Sequence, residues 1–143
     1  MKIIEAINYR SDIIKLLSSE KLPTGDLPSS LDNFFAMRDG DKLIGVIGLE
    51  KYGDYGLLRS LAVNPNFRNQ GIANKLVGQL EKLAVEKGLK AIFLLTETAP
   101  DYFSHKGYHI ITRAEIPAEV QQSSEFSHVC PQSAIVMRKT LTL

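Results

Sequence analysis

Apolar and polar positions follow a strand period at the start of the chain and then a helical one. Met1 to Ile7 predicts a short opening strand. Ser11-Asp12 then caps a run at helical spacing, Ile13, Ile14, Leu16 and Leu17, so a first helix is predicted to end near Glu20. Two prolines and a glycine in Leu22-Pro23-Thr24-Gly25-Asp26-Leu27-Pro28 are loop chemistry, followed by a strand at Phe34 to Arg38. Asp39-Gly40-Asp41 signals a hairpin into the strand Leu43 to Leu49, and Gly53-Asp54 signals a second one into Tyr55 to Val63. Strict alternation along that last strand puts Leu57, Arg59, Leu61 and Val63 on one face and Leu58, Ser60 and Ala62 on the other. Three antiparallel strands therefore form a meander.

Pro65 ends the meander, and a helical stripe of Ile72, Leu76, Leu80 and Leu83 follows, stopping at Gly88. Ala91 to Leu95 is a continuous apolar run, the mark of a strand covered on both faces after a helical crossover, so the sheet is expected to turn parallel there. A helix from about Ala99 to Lys106, a strand over Tyr108 to Arg113, a helix over Pro117 to Phe126 and a strand over Ala134 to Lys139 complete a mixed α/β order. With 143 residues and no linker or internal repeat, residues 1–143 are expected to form a single domain.

Composition narrows the chemistry. The 17 basic and 16 acidic residues leave a net charge of +1, which removes the broad electrostatic case for a nucleic-acid or anionic-membrane partner. Neither a secretory signal nor a long apolar span is evident, so a cytoplasmic protein is expected. The single cysteine, Cys130, cannot close an intrachain disulfide, and the three scattered histidines lack zinc-ligand spacing, so no metal is expected. Cys130 reads as a structural thiol, and His105 and His128 as surface or packing residues.

The most informative segment is Arg68-Asn69-Gln70-Gly71-Ile72-Ala73, where strand passes into helix. A helix start offers unpaired N–H groups and the positive end of a dipole, and a glycine lets the main chain approach a bulky anion. A tight turn with good packing would leave the same pattern. The segment lacks the Lys-Ser/Thr pair of a P-loop and the three glycines of a dinucleotide fingerprint.

Arg68-x-x-Gly71-x-Ala73 resembles the coenzyme A loop of the GNAT N-acetyltransferase superfamily. Leu61-Ala62-Val63-Asn64-Pro65 and Tyr102-Phe103-Ser104-His105-Lys106-Gly107-Tyr108 resemble that superfamily's fourth strand and its closing helix and strand. Leu22-Pro23-Thr24-x-Asp26-Leu27, Leu57 to Val63 and Cys130-Pro131-x-Ser133-Ala134 are similar to the arsenic-resistance-associated branch. The resemblance implies a mixed sheet of about six or seven strands, antiparallel in its first half and parallel at a central crossover, with helices on both faces. It implies acetyl-CoA as cosubstrate and a small-molecule amine as acceptor, an amino acid or an amino-acid-like toxin. Asn69, Gln70, Gly71, Ile72 and Ala73 would donate to the diphosphate beside Arg68; Leu61, Ala62 and Val63 would hold pantetheine, with Thr96, Phe103 and Lys106 completing the cofactor side.

Two positions depart from the superfamily pattern. Phe103 stands where the superfamily carries a thiolate-protonating tyrosine, and Thr96 stands where asparagine is frequent. Tyr102 is adjacent to the first, but one helical position turns a side chain by about 100°; water, or unaided departure of the thiolate, is the favoured alternative. Glu97, at the end of the apolar strand, and Glu50 are candidates to take the amine proton, and a solvated carboxylate is the plain alternative for each. Arg59 shares a strand face with leucines and needs an anion: a substrate carboxylate, or an internal pair with Glu50 or Asp54. Thr24 and Asp26 would line the acceptor pocket. Two readings without turnover stay open, an acyl-CoA-binding regulatory module and a homodimerisation domain built on the final strand.

Overall fold

The computed structural model describes residues 1–123 and 134–141. Seven strands form one sheet in the order β1-β2-β3-β4-β5-β7-β6, and the chain divides into two compact units, Met1–Leu49 with Arg59–Leu83 and Glu50–Leu58 with Ala84–Leu143.

In the first unit, β1 (Lys2–Glu5) pairs antiparallel with β2 (Phe34–Asp39), and β2 pairs antiparallel with β3 (Lys42–Tyr52). Met37 lies opposite Gly45 and Ala36 opposite Val46, so the pleat sends these pairs to opposite faces. On one face Phe34, Ala36 and Val46 bury Ile13, Leu16 and Leu17 of α1 (Arg10–Ser19). On the other, Gly45 leaves room for α2 (Ile72–Glu86), where a Cβ would stand 3.0 Å from Ile72 and Leu76. Helices thus cover both faces, as expected. The predicted cap of α1 moves: Tyr9 is the N-cap, and Ser11 and Asp12 lie within the helix, Asp12 in the first turn where its charge meets the positive dipole end. The buried stripe of α2 also shifts, to Ile72, Leu76, Val77, Leu80 and Ala84, leaving Leu83 half-buried.

The second unit begins with the start of β4 (Tyr55–Val63), which pairs parallel with β5 (Ala91–Thr96) from Tyr55 opposite Ala91 to Leu57 opposite Phe93. β7 (Ile135–Thr140) then lies antiparallel to β5 on one side and to β6 (His109–Ile111) on the other. The final strand is thus flanked by pairing partners on both sides over Val136–Arg138. Leu57, Phe93, Val136, Ile116 and Val120 form the core, with Tyr55 edge-on to Phe93 at 5.8 Å.

Two helices end in the same device. Gly88 after α2 and Gly107 after α3 (Pro100–His105) take φ of +70° and +92°. Each is followed by a backward bond spanning five residues, Leu89 N–H to Ala84 C=O and Tyr108 N–H to Phe103 C=O. The predicted strand Tyr108 to Arg113 is shorter than expected. Thr112 stops it by forming a capping box with Glu115 around a 3-10 turn, Arg113–Glu115. The Thr112 N–H donated to the Glu115 carboxyl holds that group below its ordinary titration range. The predicted helix Pro117 to Phe126 is observed as α4 (Ala118–Gln121), and Phe126 lies outside the described residues, as do His128 and Cys130.

Gly48 should tolerate no side chain, since a Cβ there would fall 2.4 Å from the buried Phe34 ring. Gly48→Ala is expected to lower unfolding free energy by about 1–3 kcal/mol. Gly78→Ala, on an exposed and open turn of α2, should raise it by about 0.5–1 kcal/mol. Urea denaturation of both variants checks the pair.

Candidate functional site

Between β4 and α2 the chain makes a 3-10 turn, Pro65–Phe67, capped by the Asn64 side chain accepting from Asn66 N–H at 2.9 Å. Asn69 and Gly71 then take left-handed φ of +64° and +75° on either side of Gln70. Only glycine adopts that conformation without cost, and asparagine tolerates it better than most residues. Among the described residues, no group accepts from the N–H of Asn69, Gln70, Gly71, Ile72 or Ala73; the first helical bond runs instead to the Gly71 carbonyl, from Lys75 N–H at 3.1 Å. Asn69, Gln70 and Gly71 are exposed, and a Cβ on Gly71 would meet nothing within 4 Å. The result is a row of unpaired donors with open space before it, at the positive end of a helix of 15 residues. Such a row suits a diphosphate.

Arg68 stands at the edge of the row. Its guanidinium reaches Glu20, next after α1, at 2.6 Å, with the arginine side chain 58% exposed. The arginine end of this pair is open to solvent and salt, while the Glu20 side chain is 17% exposed. Glu20 carried no signal in the sequence, because partnership with a residue 48 positions away depends on tertiary contact.

Further along the same unit, Ser60 has a φ of +59° in the middle of β4. This breaks the strict alternation expected there: Ala62 joins the α1-side core, while Leu61 and Val63 are half-buried. Next to it, Arg59 is 3% exposed and donates to both carboxylate oxygens of Asp26, at 2.9 and 3.0 Å. It also donates to the Asp26 carbonyl at 3.3 Å and, through Nε, to the Ser60 hydroxyl at 3.0 Å. An internal anion therefore answers the guanidinium, and it comes from the loop that also carries Thr24. Thr24 is half-buried, and its carbonyl accepts from Leu27 N–H at 3.5 Å.

The remaining candidates lie in the second unit. Glu50 is an internal residue of β3, which continues to Tyr52 rather than ending at Leu49, and it accepts from the Tyr52 hydroxyl at 3.0 Å. Thr96 is buried at the end of β5, and its hydroxyl accepts from Ala99 N–H at 3.0 Å, anchoring the start of α3. Glu97 is exposed. On α3, Phe103 is buried edge-on against Tyr108, at 5.6 Å, whereas Tyr102 is half-buried with the Lys106 ammonium 5.7 Å from its ring centre. The helical turn between adjacent positions thus sends Phe103 into the core and leaves Tyr102 partly accessible. Among the described residues, no group of three or more His, Cys, Asp or Glu could hold a metal ion.

Residues 11–109 match the acetyltransferase (GNAT) family, and the chain belongs to it. An amino-acid acetyltransferase of Ectopseudomonas mendocina is 35% identical over 65 residues, 46% of this chain but 15% of that protein. The chain thus spans only a small part of such relatives. Among solved structures, N-acetylglutamate synthase of Neisseria gonorrhoeae, complexed with coenzyme A and N-acetyl-glutamate, superposes with a TM-score of 0.80 at 16% identity, over 99% of this chain and 35% of that one. A GNAT-family acetyltransferase of Staphylococcus aureus gives 0.78 at 22% identity over 99% of both chains. At these identities the structures establish a shared fold.

The Thr96 hydroxyl supplies a testable local contribution. Thr96→Val keeps the shape but leaves the Ala99 N–H without its acceptor, and is expected to cost about 1 kcal/mol in chemical denaturation.

Proposed function

We propose that this chain is an N-acetyltransferase that moves an acetyl group from acetyl-CoA to the amine of a small molecule. The observation that carries the reading is the row of amides from Asn69 to Ala73 that has no acceptor among the described residues, with open space before Gly71, in a chain of the acetyltransferase family. Those amides bind the diphosphate, and Arg68 adds a mobile positive charge. Leu61, Ala62 and Val63 offer backbone groups to the pantetheine arm, with Thr96, Phe103 and Lys106 completing the cofactor side. Bound acetyl-CoA supplies an activated thioester, so the protein's task is to hold a neutral amine against it and exclude competing geometry. A backbone donor near Val63 polarises the carbonyl. Glu50 or Glu97 takes the amine proton, directly or through water, and Tyr102 is the side chain we assign to protonating the departing thiolate. Thr24 and Arg59 belong to the acceptor side.

Amino acids and amino-acid-like toxins are the acceptors to try first. The name of the E. mendocina relative supports the first class, and the similarity of the Leu22–Leu27, Leu57–Val63 and Cys130–Ala134 phrases to the arsenic-associated branch supports the second. We further propose that residues 1–143 act as one catalytic domain in the cytoplasm. One observation favours a second reading, an acyl-CoA-binding regulatory module: Phe103 occupies the place of the usual acid and is locked into the core.

The two readings part in one assay. Purified protein mixed with acetyl-CoA and a panel of amines is expected to release free thiol with at least one amine; binding without release for every amine would favour the regulatory module. Gly71→Val, strained at a φ of +75° and projecting into the open space, is expected to reduce coenzyme A affinity by about 100-fold or more, with a melting temperature lowered by a few degrees from the strain while the fold is kept. Unchanged affinity would remove the diphosphate from this loop.

A further inference from the structure

We infer that Arg59 is a positioning residue for the acceptor amine: closed on Asp26, its guanidinium pins the 22–28 loop to β4 and fixes the wall that the acceptor meets. This inference rests on the acetyltransferase reading and replaces one element of it, the idea that Arg59 takes a substrate carboxylate.

The geometry is that of a satisfied ion. Both carboxylate oxygens of Asp26 accept from the two terminal nitrogens of Arg59, and the side chains are 1% and 9% exposed. A paired fork shielded from water is strong because neither partner retains solvent as an alternative. A substrate carboxylate would have to displace Asp26 and leave that charge buried without its partner, which is the costly outcome for any buried pair. Arg59 is therefore poorly suited to capturing an anion and well suited to holding a loop.

The loop depends on such a hold. It contains two prolines, which donate no backbone bond, and its internal bond from Leu27 N–H to Thr24 C=O is long, at 3.5 Å. Leu22 and Leu27 pack against the α1 core, and Arg10 donates to the Pro28 carbonyl. Between these anchors, Asp26 supplies the central attachment with three bonds to Arg59, two through its carboxylate and one through its carbonyl. The same guanidinium holds the Ser60 hydroxyl through Nε, at the left-handed residue that precedes Leu61 to Val63. One side chain thus joins the acceptor-side loop to the strand assigned to the cofactor arm. A loop released from this hold would no longer present its wall to the acceptor, so the loss falls on acceptor binding rather than on turnover of the bound complex.

The test uses Asp26→Asn, which keeps the shape and removes the charge, and the double variant Arg59→Met/Asp26→Leu, which replaces the ion pair by apolar groups and guards against a folding failure caused by a lone buried charge. Hydrogen exchange over residues 22–28, direct acetyl-CoA affinity, and acceptor KM and kcat are measured for each. Expected are faster exchange in the loop, a rise of about tenfold or more in acceptor KM with kcat changed by less than about threefold, and unchanged acetyl-CoA affinity. The loss should be equal for amines with and without a carboxylate. A loss confined to carboxylate-bearing amines would restore the anion-binding role and overturn this one. Unchanged loop exchange, unchanged acceptor KM, or an acetyl-CoA affinity that falls in parallel would also overturn it. If the wild-type protein turns over no amine, the acetyltransferase reading fails and the acceptor role falls with it, while the exchange measurement still decides whether the pair pins the loop.

Discussion

The proposed function rests on five backbone N–H groups, from Asn69 to Ala73, that find no acceptor among the described residues. A helix start always produces orphan donors, yet these are normally taken by a capping side chain or by water. Here two left-handed residues, Asn69 and Gly71, turn the chain so that the donors from Asn69 to Ala73 lie before open space. The sheet and helix hold the row in place: Ile72 and Leu76 are buried and approach Gly45 of β3 so closely that a methyl group there would crowd both. In the proposed reading, a diphosphate would bind with little reorganisation, because burying Ile72 has already oriented the first turn of α2.

Much of this was legible because the relevant signals are local. The Gly40, Gly53, Gly88 and Gly107 turns all carry positive φ where the sequence placed hairpins or helix ends, and β4 runs from Tyr55 to Val63 as expected. Gly71 was likewise singled out, and it carries a positive φ of +75°. What was not legible depended on long-range contact. Strict alternation could not survive the left-handed Ser60, whose conformation is supported by a neighbouring guanidinium rather than by its own residue type. Asp26 was read from the sequence as a pocket-lining loop residue and not as the partner of Arg59, because that pairing joins residues 33 positions apart. The insertion of β7 between β5 and β6 is equally non-local, since a strand pattern states that a segment will pair but not with what. The Thr112 and Glu115 capping box is the exception: its spacing was in the sequence and marks the end of β6.

The side chains divide into those that hold geometry and those accessible enough for chemistry. Arg59, Thr96 and Phe103 are buried, and each has contacts that serve the fold: an ion pair, a helix anchor and an aromatic contact. Glu97 is exposed, and Glu50 and Tyr102 are half-buried. This division fits a reaction in which orientation supplies most of the acceleration and proton transfer a smaller share. In the proposed reading, the diphosphate meets backbone groups and Arg68, whereas the acceptor meets a loop held by the buried Arg59–Asp26 pair.

The central claim is tested most directly by following backbone amide resonances while coenzyme A is titrated into isotopically labelled protein. The account predicts saturable, downfield displacement of the amide protons of Gln70, Gly71, Ile72 and Ala73, as expected when unpaired donors acquire charged acceptors. Saturable binding that leaves those four resonances in place while moving amides elsewhere would contradict it.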